Sequence, residues 1–313
     1  MPTVKKLVVV VPFLNEAENL PVLFDRVIRA MAGQPEHLQI LFVDDGSTDP
    51  SPQWVQHQAT ADSRVRLLQL SRNFGHQIAI TAGMDHADGD AVVIMDADLQ
   101  DPPEVIPALL AKWREGYEVV YAVRRSRAGE TWLKKFLAAS FYKVFRALAK
   151  VDVPMNAGDF RLVDRKVVDA LKEVRELHRF MRGLTCWVGF RQGAVYYERA
   201  ARHAGETKYP VWKSFRLALD AITSFSATPL RWITGAGVLI SLIGLCFALR
   251  IMWDHFIRQT ALVPGWASIM ALVLFSGGIQ LVCLGIIGQY ISRIFEESKK
   301  RPLYFLRDQP PSR

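Results

Sequence analysis

From Gln259 to Ser292 the chain runs 34 residues without an Asp, Glu, Lys, Arg or His. A second stretch, Trp232 to Leu249, is charge-free over 18 residues. A helix needs about 20 apolar residues to cross the core of a bilayer, so both stretches are long enough. Buried core helices would satisfy the same pattern. Two such lengths near one end of a chain favour a pair of transmembrane helices, at 231–253 and 264–292. The link between them carries Asp254, His255 and Arg258 and so has no net positive charge. Arg231 lies on one outer flank, and Arg293, Lys299, Lys300 and Arg301 lie on the other. Positively charged flanks stay on the cytoplasmic side. The expected topology is multi-pass in the inner (plasma) membrane, with the soluble part and both termini cytoplasmic and 293–313 as a tail. Gly235, Gly237, Gly244, Gly277, Gly278, Gly285 and Gly288 suit close helix packing within a chain or between copies, and a homo-oligomer is expected.

Ahead of these helices the apolar residues come in short bursts. Strand-like runs recur at Leu7–Pro12, Ile40–Asp44, Val65–Leu70, Ala91–Asp96 and Glu118–Val123, with helical segments at 16–32, 52–61, 77–87 and 104–115. This alternation predicts an α/β domain whose mostly parallel sheet is covered on both faces. The first run follows Lys5 and Lys6 but is too short for a signal peptide and meets Asn15 and Glu16 at once. Of the three cysteines, Cys246 and Cys283 fall in the membrane stretches and Cys186 stands alone, so no disulfide framework is implied.

In such sheets ligands bind beyond the carboxyl ends of the strands. The polar residues cluster at those ends. Strand one delivers Pro12, Asn15 and Glu16; strand two, Asp44 and Asp45; strand three, Ser71, Arg72 and Asn73; strand five, Arg124, Arg125 and Arg127. Strand four ends in "VVIMDADLQDPP", and strict alternation would point Asp96 and Asp98 the same way. Adjacent carboxylates repel unless a cation lies between them. Asp96 and Asp98, with Gln100 as a further candidate, are the hard oxygen donors that Mg²⁺ or Mn²⁺ accept. Acidic groups and arginines at one edge, on a chain of net charge +8, suit a diphosphate bridged by a divalent cation. Neither G-x-G-x-x-G after the first strand nor a G-x-x-x-x-G-K-[ST] loop is present. A phosphoacceptor receiver domain would leave the arginines and the long continuation unexplained.

The segments "VVVPFLNEAENL", "VDDGSTD", "SRNFGHQIAITAGMDHADGD" and "MDADLQDPPE" resemble the successive motifs of family-2 inverting glycosyltransferases with the nucleotide-sugar-binding A-type fold. With "NAGDFRLVDR", "RHAGETKY" and two membrane helices, the chain is most similar to polyprenyl-phosphate glycosyltransferases. The bacterial branch making polyprenyl-phosphate glucose is the nearest likeness, and dolichol-phosphate mannose synthases are related. The resemblance implies a cytoplasmic catalytic domain over 1–210. Pro12, Asn15, Glu16, Asp44 or Asp45, and Ser71, Arg72 and Asn73 would lie at the nucleotide. Asp96, Asp98 and Gln100 would hold the metal. Asp98 and Asp159 would sit nearest the chemistry, and Arg124, Arg202 and Lys208 would meet phosphates. The implied donor is UDP-glucose, with GDP-mannose as the alternative; the acceptor is a polyprenyl phosphate, a flippase is a partner, and no nucleic acid is bound. A processive synthase would want more membrane helices and a Q-x-x-R-W motif, of which "RFMRGLTCWVG" is only a faint echo. A catalytically silent scaffold is opposed by the intact Asp96, Asp98 and Asp159.

Residues 131–150 contain five lysines and arginines, Lys134 and Lys135 among them, no acidic residue, and one apolar face. Such a segment reads as an interfacial helix guiding a lipid phosphate, and 211–230 as a juxtamembrane one. His76, His86, His178 and His203 show no metal-ligand spacing and read as structural or surface groups. Asp152 and Asp164 read as turn or helix-cap residues, and Tyr196 and Tyr197 as core.

Overall fold

A computed structural model describes residues 5–125, 157–198 and 265–307, with further positions between 230 and 253. The predicted segments 131–150 and 211–230, and with them Lys134, Lys135, Asp152, Arg202, His203 and Lys208, lie outside the described residues. The chain divides into two compact units, Met1–Ser214 with Pro302–Arg313, and Phe215–Arg301. The second unit is therefore an insertion in the first.

The first unit is built on a seven-stranded sheet of order β3-β2-β1-β4-β6-β5-β7. In chain order the elements are β1 (Lys6–Phe13), α1 (Asn19–Met31), β2 (His37–Asp44), α2 (Ser51–Ala61), β3 (Val65–Gln69), α3 (His76–His86) and β4 (Ala91–Ile94). A 3₁₀ turn at Pro103–Val105 leads into α4 (Ile106–Arg114) and β5 (Val119–Arg124). Then come β6 (Ala157–Asp164), α5 (Arg165–Glu173), α6 (Met181–Trp187) and β7 (Gln192–Tyr197). The five predicted strands and four predicted helices all occur. Their alternation works because runs such as Val8 to Val11 are wholly buried on both faces of the sheet. Gly83 lets α3 sit hard against β1, since a Cβ there would lie 2.2 Å from Val10 Cγ1.

After β3 the chain returns across β1 to form β4 on its other side, with all these pairings parallel. That reversal of strand order opens a crevice between β1 and β4 at their carboxyl ends. Strand β6 runs antiparallel to both β4 and β5. Its amino end consequently reaches the same edge as the carboxyl ends of its neighbours. Asp164 caps α5 by accepting from the Lys166 N–H, as expected.

The second unit contains α7 (Trp266–Ser298), within which Phe275–Ser298 is long and apolar enough to cross a membrane. Phe275, Leu281 and Ile294 on it are exposed. The described residues within 231–253 are helical. Pairing of the two helices into a hairpin lies outside the described residues.

The expected tail behaves differently from a solvated terminus. Leu306 pairs antiparallel with Leu70 at the open edge of β3. Ser71 N–H donates to Phe305 O at 2.9 Å and Arg307 N–H to Gln69 O at 2.9 Å. Tyr304 Oη donates to Asp85 Oδ2 at 3.0 Å. These bonds protect a sheet edge that would otherwise invite pairing with another chain. At roughly 1 kcal/mol net for each hydrogen bond, a chain ending at Arg301 is expected to unfold several degrees lower. Thermal unfolding in detergent measures this, and an unchanged midpoint would make the segment a passive tail.

Candidate active site

The donor side is assembled from loops after β1, β2 and β3. Asn15 adopts a left-handed backbone (φ 57°), which its short polar side chain tolerates. Its Oδ1 accepts from the Thr48 N–H at 2.8 Å and the Asp49 N–H at 3.3 Å, clasping the loop after β2. Glu16 N–H donates to Ser51 Oγ, and the Glu16 carboxylate accepts from Asn19. Pro12 is buried inside β1, opposite Val43. Asp44 is 1% exposed, and its Oδ1 accepts from the Ser47 N–H. Asp45 accepts from Phe74 and Gly75 N–H groups, while burial raises its pKa against that help. At Gly46 (φ 81°) a Cβ would meet Asn73 N at 2.7 Å, so two of these loops touch through bare backbone. Arg72 stacks its guanidinium 4.0 Å above Phe74 and donates to Asn73 O. Ser71, Arg72 and Asn73 are exposed at this edge.

Strand β4 stops at Ile94, so strand alternation does not place Asp96 and Asp98 as the sequence pattern suggests. A tight turn places them. Leu99 takes a left-handed φ of 58°, and Asp98 Oδ1 accepts from the Gln100 N–H at 3.1 Å. The polar sequence Asp-Ala-Asp favours such a turn because Asp side chains bond backbone two residues on. Gln100 is 8% exposed. Asp96 Oδ1 is buried and takes no well-aligned hydrogen bond. His76 Nε2 lies 3.3 Å from it.

His76, read as a structural or surface group, is exposed and ties two carboxylates together. At the start of α3, its Nε2 lies 3.3 Å from Asp96 and 3.6 Å from Asp159 Oδ2. Burial works against its charge, but the bonds to Asp159 and Asp96 outweigh it and push the imidazole up to about 10. Asp159 arrives from the amino end of β6 and is 4% exposed. Arg182 on α6 grips it through Nε and Nη2, both at 3.0 Å, and Arg161 Nη2 lies 3.5 Å away. Burial would raise the Asp159 pKa, yet His76, Arg182 and Arg161 hold the carboxyl well below the usual carboxylate range. Arg161 is itself wholly buried, bonded to Gly158 O and Thr185 Oγ1 and packed on the Tyr121 ring.

Arg124, expected at a phosphate, donates to Asp101 and to Tyr197 Oη. Tyr197 also bonds Asp101, so it is more than the core aromatic the sequence suggests.

The arrangement is two carboxylates, Asp96 from the β4 turn and Asp159 from β6, meeting at His76. Residues 8–172 match the family model Glycosyl transferase family 2. The chain belongs to glycosyltransferase family 2. A glycosyltransferase of Bacillus subtilis (strain 168) is 47% identical over 299 residues, covering 96% of this chain and 92% of its own. The bactoprenol glucosyl transferase of Shigella phage SfV is 40% identical over 304 residues, covering 97% and 99%. A mannosyltransferase from Pyrobaculum calidifontis, solved in complex with GDP-Man and Mn²⁺, covers 93% of this chain and 88% of that one. Its TM-score is 0.51 at 19% identity, a likeness of fold.

For a family-2 transferase, the residues that sequence reasoning missed are His76, Arg182, Asp101 and Tyr197. His76 lay inside the quoted "SRNFGHQ" and Arg182 inside "RFMRG". Neither shows its role locally, because each acts on a carboxylate more than twenty residues distant along the chain.

Proposed function

We propose that this transferase moves a glucosyl residue from UDP-glucose to the phosphate of a polyprenyl phosphate, with inversion at the anomeric carbon. The observation that carries the site is His76 joining the Asp96 turn to Asp159, which brings carboxylates from two separate segments to one point. The near full-length likeness to a bactoprenol glucosyl transferase supports the substrate class.

A divalent cation, Mg²⁺ or Mn²⁺, fits the donor side. The buried Asp96 Oδ1 lacks a well-aligned hydrogen bond, as a ligand awaiting a cation would. Asp96 and Asp98 would hold it, with Gln100 as a third candidate. Among the described residues no three His, Cys, Asp or Glu side chains gather as a metal cluster, so diphosphate oxygens would complete the shell. When bound, the cation supplies charge neutralisation for a departing nucleoside diphosphate.

The acceptor phosphate is an anion at neutral pH and attacks the anomeric carbon without a strong base. One carbon–oxygen bond to the donor diphosphate breaks as one to the acceptor phosphate forms. Asp159, held ionised by three cationic partners, is a poor proton acceptor. It orients Arg182 and His76, whose donors then face the anions. Asn15, Asp44 and Asp45 set the nucleotide loops by bonding backbone. Arg202, Lys208, Lys134 and Lys135 are proposed to meet the lipid phosphate. Lys134→Glu with Lys135→Glu should weaken acceptor use and leave nucleotide binding intact, most visibly at low salt; unchanged acceptor affinity would remove them from that role.

On this reading the product forms at the cytoplasmic face of the inner membrane, for cell-envelope glycosylation, and a flippase carries it across. Copies of the chain assemble through the glycine-rich membrane faces. Protease access in inside-out vesicles tests the side, and cross-linking in membranes tests the assembly. The donor is tested with radiolabelled nucleotide sugars and polyprenyl phosphate in vesicles. Lipid-soluble label from UDP-glucose is expected. Label from GDP-mannose alone would reassign the donor, and none from any donor would favour a silent scaffold.

A further inference from the structure

Asp101 is 1% exposed, yet it lies one residue beyond the turn that presents Asp96, Asp98 and Gln100. Its Oδ1 accepts from Tyr197 Oη and, at 3.2 Å, from Arg124 Nη2; its Oδ2 lies 3.4 Å from the same nitrogen. Arg124 Nε closes the triangle on Tyr197 Oη at 3.1 Å. Room for the guanidinium depends on Gly158, where a Cβ would come within 3.0 Å of Arg124 Nη2. Tyr197 packs edge-on against Phe160, with ring centres 6.1 Å apart. Three segments distant in sequence are thereby fixed together: the turn after β4, the carboxyl end of β5 and the carboxyl end of β7.

The turn needs such a fixture. Leu99 sits in left-handed backbone, which a branched side chain adopts only when its surroundings over-determine it. Burial of Leu99 and the Asp98–Gln100 bond restrain it from within the turn. Asp101 restrains it from the far end. Released there, the turn can relax to right-handed backbone and move Asp98 relative to Asp96.

We propose that Asp101, Arg124 and Tyr197 form a clamp that holds the Asp96–Gln100 turn ready for a divalent cation, which makes Arg124 a positioning residue and not a phosphate contact. The proposal rests on reading Asp96 and Asp98 as cation ligands.

The test measures Mn²⁺ binding to the full-length protein in detergent, by electron paramagnetic resonance of free Mn²⁺, with and without UDP. Tyr197→Phe keeps the ring against Phe160 and removes only the hydroxyl, and Arg124→Gln removes the charge. Each is expected to weaken Mn²⁺ binding in the presence of UDP about tenfold, the usual scale for partners just outside a metal's ligands. The double variant should lose little more than either single one. UDP affinity without metal should stay unchanged, and Tyr197→Phe should remain folded at the temperature of the binding assay. If Arg124→Gln weakens metal-free UDP binding while Tyr197→Phe leaves Mn²⁺ binding intact, Arg124 is a phosphate contact and the clamp is wrong. Unaltered Mn²⁺ binding in both variants also overturns it. A wild-type protein that binds no Mn²⁺ beside UDP instead removes the underlying assignment of Asp96 and Asp98.

Discussion

Asp96→Asn and Asp98→Asn are each expected to abolish sugar transfer while leaving the protein folded. Holding a cation against a departing diphosphate contributes several kcal/mol in the transition state, so losing about 4 kcal/mol slows turnover about a thousandfold. Most of the stability should survive, because Asp96 Oδ1 takes no well-aligned hydrogen bond and forfeits only its contact with the partly exposed His76. The substitution at Asp96 does remove one of the two carboxylates beside His76, so its imidazole should titrate lower. Rates in a metal-titrated assay, beside thermal unfolding, check both halves. A variant with wild-type turnover would refute the metal site, and so would a wild type indifferent to chelation.

Asp159→Asn should act differently, harming fold and turnover together. Asp159 is the counter-charge of Arg161, which is fully buried. Removing one partner of a buried ion pair costs about 3–5 kcal/mol, which for a unit of this size lowers the unfolding midpoint by roughly 10 °C. In the folded fraction, Arg182 loses both bonds that aim it, and turnover should fall about a hundredfold or more. UDP affinity should change much less, because Asp159 meets the donor side through His76 and Gln77 at the start of α3 rather than through the donor loops themselves. Calorimetric UDP binding at a temperature where the variant remains folded separates these effects. Loss of UDP affinity with intact turnover of bound donor would put Asp159 on the nucleotide side.

Arg161 and Asp159 also show where sequence reading stopped. Residues 157–164 contain Asp, Arg and a second Asp within eight positions, a poor match to any buried-strand pattern, and β6 went unread. It is a strand because Arg161 is satisfied by Gly158 O and Asp159 within the strand and by Thr185 Oγ1, a partner in place only after α6 packs on that face. Strand β7 was missed for a related reason. Its glycine, Gly193, sits under the Tyr117 ring, where a Cβ would lie 2.7 Å from Cδ1. The returning segment Tyr304–Arg307 is too short to announce a strand without the β3 edge it pairs with.

Local chemistry written in the chain did determine a great deal. The short Val-rich and Ile-rich runs separated by helical segments dictated a parallel core buried on both faces, since no other arrangement hides such runs. The polar residues at their carboxyl ends marked the edge where the site forms, and Asp-Ala-Asp marked the turn. The charge-free stretch over 259–292 required a long apolar helix, and α7 is that helix. Tertiary structure alone decided which groups meet. The antiparallel course of β6 carries Asp159 to the same edge as β4, and α3 sets His76 between it and Asp96. Only the folded sheet ties Arg124 to Asp101 and Tyr197. Carboxylate and cation interact across a few ångströms, whereas His76 stands about twenty residues along the chain from Asp96 and just over eighty from Asp159, so their pairing leaves no periodicity for a sequence to display.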